Sequence, residues 1–197
     1  ILCVPKKEGK YPALLHVPGA GVRPYGGDIA NAAKGIITLQ IGIHGIPVTM
    51  PQIVYDRLLG GALNNYWDVN IGYPDKNYYH RVVIGAVRAV DYIASRPEWD
   101  GKTLGVTGAS QGGFLSLATA ALDSRVTFLA AVHDAMCDYE AELHGVAGGW
   151  PHYFYQRKNV DEKEIEGARY YDGVNFARMV TVPCWFSFGY NDETVPP

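Results

Sequence analysis

Gly108-Ala109-Ser110-Gln111-Gly112 constrains this chain more than any other stretch. Before it, Thr103-Leu104-Gly105-Val106-Thr107 reads as a short buried strand; after it, Phe114 to Leu122 reads as a helix. A strand that becomes a helix within so few residues strains the backbone at the turn and folds the flanking residues close together. Small residues are therefore needed two before and two after the apex, where Gly108 and Gly112 stand. The serine at that apex presents its hydroxyl beside unpaired N–H groups and the positive end of the helix, which stabilise developing negative charge. Ser110 reads as a nucleophile.

The rest of the chain agrees with a strand-helix alternation. Tyr11-Pro12-Ala13-Leu14-Leu15-His16-Val17, Ile36 to Ile43, Val126 to Val132 and Val182 to Gly189 read as buried strands. Ile1 to Val4 is a further short strand, joined to the Tyr11 run by a polar turn. Asp28 to Gly35 is long enough for a short crossover helix. Tyr78 to Arg96 is the clearest helix, with Val83, Val87, Val90 and Ala94 as its apolar stripe and Pro97 ending it. This order predicts an α/β fold, a mostly parallel sheet with helices on both faces, in one domain over residues 1–197. Pro18-Gly19-Ala20-Gly21-Val22 leaves a strand end as small-residue backbone, suited to a second oxyanion donor.

Two stretches lack clear periodicity. Residues 44–77 carry Tyr55, Tyr66, Trp67 and Tyr73, which either stack on sugar rings or fill a loop core. Residues 135–166, with Trp150, Tyr153, Phe154 and Tyr155, read as an insertion over the sheet's C-terminal edge.

A net charge of -3 with interspersed signs gives no reason to expect nucleic-acid or membrane partners. Cys3, Cys137 and Cys184 are widely spaced and read as buried free thiols. No pair of histidines has helical i, i+4 spacing, so no metal is expected, and nothing calls for a cofactor. The first residue is Ile1, so the chain reads as an excerpt whose compartment is open.

A serine hydroxyl needs a histidine to take its proton and a carboxylate to orient that histidine. Asp192, on the turn after the last strand, is the expected acid, with Asp134 and Glu193 as competitors. All six histidines (His16, His44, His80, His133, His144 and His152) precede Asp192, and the chain order Ser, Asp, His places the base beyond Pro197. His16 and His133 read as local hydrogen-bonding residues.

The motifs Tyr78-Tyr79-His80-Arg81-Val82 with Ala86-Val87-Arg88-Ala89, Gly105 to Gly113, Tyr170-Tyr171-Asp172 with Asn175-Phe176-Ala177, and Val182-Pro183 through Asp192 to Pro196-Pro197 closely resemble the acetyl xylan esterase and cephalosporin C deacetylase family. The resemblance implies an α/β-hydrolase fold, incomplete at one or both ends, that removes acetyl groups from small acetylated sugars. It implies Ser110 as nucleophile, Asp192 as acid, the N–H groups of Gln111 and Ala20 as oxyanion hole, and a homo-oligomer. Two departures stand out. His16-Val17-Pro18-Gly19-Ala20 lacks the family's tyrosine after His-Gly, and Ile43-His44-Gly45-Ile46-Pro47 replaces its Arg-Gly-Gln turn, a structural support. The rival readings are a general carboxylesterase or peptidase on the same fold, and an inactive sugar-binding module.

Overall fold

The computed structural model describes residues 1–196. Six strands form one sheet in the order β1-β3-β2-β4-β5-β6: β1 (Leu2–Cys3), β2 (Tyr11–His16), β3 (Ile37–Gln40), β4 (Trp99–Ser110), β5 (Phe128–Asp134) and β6 (Cys184–Ser187). All neighbours are parallel except β1, which runs antiparallel to β3 with Leu2 opposite Leu39. The polar turn after β1 thus joins it to a strand that it does not pair with.

The helices follow from local chemistry. Asp28 caps α1 (Ile29–Ala33) by accepting from the Asn31 N–H, and Asn77 caps α3 (Tyr78–Ala94) by accepting from the Tyr79 N–H. The buried residues of α3 are Tyr78, Tyr79, Val82, Val83, Ala86, Ala89, Val90 and Ile93. The expected stripe is therefore correct at Val83 and Val90, while Val87 and Ala94 lie at its margin, half-buried. A helix of this length buries two adjacent rows of side chains, and one i, i+4, i+7 series captures only one edge of them. α4 (Gln111–Leu122) is buried from Gln111 through Ala120 and packs on β4, β5 and α3.

The 44–77 segment is more ordered than its composition suggests. It contains α2 (Gln52–Leu59) and a 3₁₀ turn at Tyr66–Asp68. Tyr55 and Tyr66 are buried, so these two aromatics fill the interior rather than offer a sugar platform. Residues 135–166 hold a 3₁₀ turn at Tyr139–His144 and lead into α5 (Glu162–Arg169), which starts with an Asp161/Glu164 capping box, and α6 (Gly173–Ala177). Asp172 ties this region together by accepting from the N–H groups of Asp138 and Tyr139, both at 3.0 Å.

Two burial expectations are corrected at β6. Its apolar run is composed like a buried strand; among the described residues it pairs with β5, and Trp185 is 57% exposed and Cys184 exposed. Cys3 and Cys137 are half-buried. Burial depends on what packs against a strand, which an apolar run by itself does not specify.

The chain winds from β2 outward to β3, then returns to the other side of β2 to build β4, β5 and β6. The winding reverses between β2 and β4. The C-terminal ends of strands at such a reversal are the favoured place for a site in an open parallel sheet.

Candidate active site

Ser110 stands at the reversal between β2 and β4. It ends β4 and caps α4 with φ 57° and ψ −123°, a left-handed backbone that costs a non-glycine residue strain. The turn closes only because its flanks lack side chains: a β-carbon at Gly108 would lie 2.5 Å from the Gly112 carbonyl oxygen, and one at Gly112 would lie 2.7 Å from that of Val17. Both glycines act as the sequence pattern requires. Ser110 keeps its place at the end of the β4–β5 ladder, its carbonyl accepting from the Ala135 N–H at 3.1 Å, while its side chain caps no N–H of α4.

The loop after β2 lies against this turn. The Val17 N–H bonds the Thr107 carbonyl at 3.0 Å, so the loop leaves β2 alongside β4. Gln111 then anchors it. Its buried side chain donates from Nε2 to the Pro18 carbonyl at 3.2 Å, and its Oε1 accepts from the Tyr66 and Tyr79 hydroxyls at 2.7 and 2.8 Å. The Tyr66 hydroxyl in turn accepts from the Gly21 N–H at 3.2 Å. Burial pushes the Tyr66 hydroxyl up to about 12 and that of Tyr79 well above its ordinary value, so both remain protonated donors.

This network accounts for both ends of the Pro18–Gly21 loop. Gly21's N–H is committed to Tyr66, whereas the Ala20 N–H makes none of these bonds. The Gln111 N–H, at the first residue of α4, has no place in the helical ladder. Neither N–H, that of Ala20 nor that of Gln111, is used by this network.

His44, in the segment that departs from Arg-Gly-Gln, is tied to the loop. Its Nε2 donates to the Gly21 carbonyl at 3.0 Å and its Nδ1 accepts from the Tyr78 hydroxyl at 2.7 Å. Burial lowers its pKa, and the nearby Arg81 acts in the same direction, while the bond to Gly21 opposes them. A neutral imidazole with its proton on Nε2 fits both bonds. Tyr66, Tyr79 and His44 were not recognised as site residues from sequence; their role comes from contacts across 32 to 45 residues for the tyrosines.

Replacing Gln111 with leucine tests the network. Two tyrosine hydroxyls and the Pro18 carbonyl would lose their partner in a buried setting, so unfolding by urea should show a loss of about 2–4 kcal/mol. A variant as stable as the parent would mean that the network does not hold the loop.

The two candidate acids have opposite environments. Asp192, on the turn after β6, uses Oδ1 to accept from the N–H groups of Val195 and Thr194 at 2.9 and 3.0 Å. These bonds, the Val195 one foremost, hold its carboxyl below the usual range, and the His133 imidazole adds to the effect. Asp192 is ionised at neutral pH and fixed in place. Asp134 sits opposite Ser110 in the β4–β5 register, but its carboxyl lies against Gly113 on α4 and lines a cavity with Cys137, Phe186 and Phe188. Its Oδ1 has no hydrogen-bond partner among the described residues, and burial pushes its pKa up to about 6. Glu193 is exposed.

Asp134 carries a stability consequence. The folded chain holds this proton to about pH 6, while the unfolded chain releases it near its ordinary value of 3.8, so stability falls as pH rises across that window. Asp134→Asn should therefore be more stable than the parent above pH 6, by up to about 3 kcal/mol, with the gain vanishing near pH 4. Urea melts across that pH range read it directly; a constant difference at every pH would contradict the assignment.

Three further histidines have close local neighbours. His16 Nε2 lies 3.0 Å from Asp28, His80 Nδ1 lies 2.9 Å from the Asp75 carbonyl, and His152 Nδ1 lies 2.8 Å from Glu142. No group of three or more metal-ligating side chains occurs among the described residues, and no helix there is long and apolar enough to cross a membrane.

A protein-family model described as Acetyl xylan esterase (AXE1) matches residues 1–197. The chain belongs to this family. An acetyl esterase of Xylanibacter ruminicola is 39% identical over 201 residues, covering 100% of this chain and 46% of that protein. Among solved structures, an acetyl xylan esterase from a Paenibacillus species superposes with a TM-score of 0.79 at 27% identity, covering 98% of this chain and 64% of the other. An acetyl xylan esterase from a Thermoanaerobacterium species, at 22% identity and a TM-score of 0.74, covers 98% of this chain and 64% of that one and shows the shared fold. The chain thus spans about half the length of the curated relative, and its fold is that of the α/β-hydrolase esterases.

Proposed function

We propose that this chain carries the nucleophile and oxyanion hole of a serine esterase that removes O-acetyl groups from acetylated xylan fragments or other small acetylated sugars. The observation that carries the reading is Ser110 on left-handed backbone at a strand-helix junction, facing a loop that Gln111 holds in place. Family membership supports the substrate class.

In the proposed reaction the Ser110 hydroxyl oxygen attacks the acetyl carbonyl carbon while an imidazole takes the hydroxyl proton. The tetrahedral oxyanion is held by the N–H groups of Gln111 and Ala20. The C–O bond to the sugar breaks, and the sugar oxygen leaves with the proton from the imidazolium. Water, deprotonated by the same imidazole, then attacks the acetyl-serine carbonyl; the bond to the Ser110 oxygen breaks, acetate leaves, and the imidazolium returns its proton to Ser110. Asp192 orients that imidazole and stabilises its charge. The base is assigned, as the chain order of such triads implies, to a histidine after Pro197.

A panel of acetylated xylo-oligosaccharides, butyryl esters and blocked peptides tests the proposal. Acetate release at least ten times faster than butyrate release, with no peptide cleavage, is expected. Peptide cleavage, or no acyl preference, would favour the carboxylesterase or peptidase readings.

A further inference from the structure

A second built polar site lies beside the turn that carries Asp192. A cavity of about 330 Å³ is lined by Glu142, Ala147, Gly148, His152, Tyr155 and Glu193. At its base the Glu142 carboxylate, 1% exposed, accepts at Oε1 from the Nδ1 of His152 at 2.8 Å and at Oε2 from the Phe154 N–H at 2.9 Å. The carboxylate sits so close to the backbone that a β-carbon at Gly148 would lie 2.7 Å from the Glu142 side chain.

His152 itself is held on left-handed backbone, φ 58°, an unusual conformation for a histidine. A buried carboxylate that fixes Nδ1 leaves Nε2 as the free ring atom, and 32% of the side chain is exposed. The Tyr155 ring, 63% exposed, stands edge-on to the imidazole with centroids 6.3 Å apart. Glu193, next in sequence to the proposed catalytic acid, completes the lining. The Trp150 N–H bonds the Thr194 carbonyl at 2.9 Å, so this segment and the Asp192 turn are physically joined.

Backbone strain, a buried carboxyl group and an orienting hydrogen bond converge here on a half-open imidazole that takes no part in the proposed chemistry. The lining combines an exposed aromatic ring, a carboxylate acceptor and an imidazole nitrogen. It contains no lysine or arginine, so it does not match a phosphate or other anion. Aromatic ring plus mixed hydrogen-bonding groups is the complement of a neutral pyranose, whose C–H face stacks on the ring while its hydroxyls meet the polar atoms.

We propose that the Glu142–His152–Tyr155–Glu193 cavity is a carbohydrate subsite that holds an unacetylated pyranose unit of the substrate. The inference rests on the deacetylase reading for its choice of sugar. Glu142 acts as a positioning residue for His152; Tyr155 and Glu193 meet the sugar.

The test is isothermal titration of the full-length protein with unacetylated xylotriose, compared with Tyr155→Ala and Glu193→Gln, both at exposed positions where folding is not at stake. The parent should bind, and each variant should weaken the dissociation constant by about tenfold or more. Glu142→Gln, which keeps the shape but alters the partner of His152, should also weaken binding. No binding by the parent, or equal binding by the two exposed variants, overturns the subsite. Deacetylation of acetylated xylo-oligosaccharides is measured on the same samples. Binding lost in the variants of a parent that releases no acetate would retain the subsite and refute the proposed function. Acetate release with unaltered binding in the variants would refute the subsite alone.

Discussion

Ser110→Ala is expected to abolish ester hydrolysis, lowering kcat by about 10⁴–10⁶-fold, while the folded protein persists. The chemical loss is complete because no other group can form the acyl intermediate; what remains is the weak effect of binding and of the oxyanion donors. Stability should change little. The left-handed backbone is imposed by the Gly108 and Gly112 contacts, which the substitution does not touch, and the serine side chain caps no helix N–H. A melting temperature within a few degrees of the parent, together with lost activity, is the expected pair of results. Residual activity near the parent's would remove Ser110 from the mechanism.

The second large effect separates the acids. Asp192→Asn should lower kcat by about 10⁴-fold, because an amide can neither fix the histidine tautomer nor stabilise the imidazolium. Asp134→Asn should leave kcat within a few-fold. The environments argue for this difference: Asp192 is held ionised by the Val195 and Thr194 N–H groups, whereas Asp134 is buried against α4 with an unpaired oxygen and is half-protonated near pH 6. A carboxylate meant to stabilise a positive imidazolium must carry its charge at neutral pH. The reverse outcome, with Asp134→Asn inactive and Asp192→Asn active, would move the acid to the end of β5.

The strand-turn-helix around Ser110 was legible because its requirements are local. Two glycines, an apolar strand and a small-residue helix lie within twenty residues of one another, and the close contacts at Gly108 and Gly112 show why those residues are needed. The loop that carries Ala20 was legible for the same reason. Its supports were not. Tyr66, Tyr79 and His44 look in the sequence like ordinary aromatic and polar residues, and only the return of the chain from β3 to β4 brings them around Gln111. A hydrogen-bond network between elements has no period to detect.

β6 has the composition of a covered strand, and its Trp185 and Phe186 are exposed in this chain, which spans about half the length of the curated relative. The α3 stripe erred mildly, since Val83 and Val90 are central while Val87 and Ala94 flank the contact. In the 44–77 segment, Tyr55 bonds the Pro47 carbonyl and accepts from the Met50 N–H, which folds an aperiodic stretch around one buried ring. Such side-chain to backbone ties stabilise loops without leaving a hydrophobic pattern.

The most direct test of the central claim is to treat the full-length protein with a fluorophosphonate and locate any adduct by intact-mass and peptide mass spectrometry. The account predicts one adduct per chain, on Ser110, abolished in Ser110→Ala and strongly slowed in Asp192→Asn. A full-length, folded protein that takes up no label, or that is labelled at a serine other than Ser110, would contradict it.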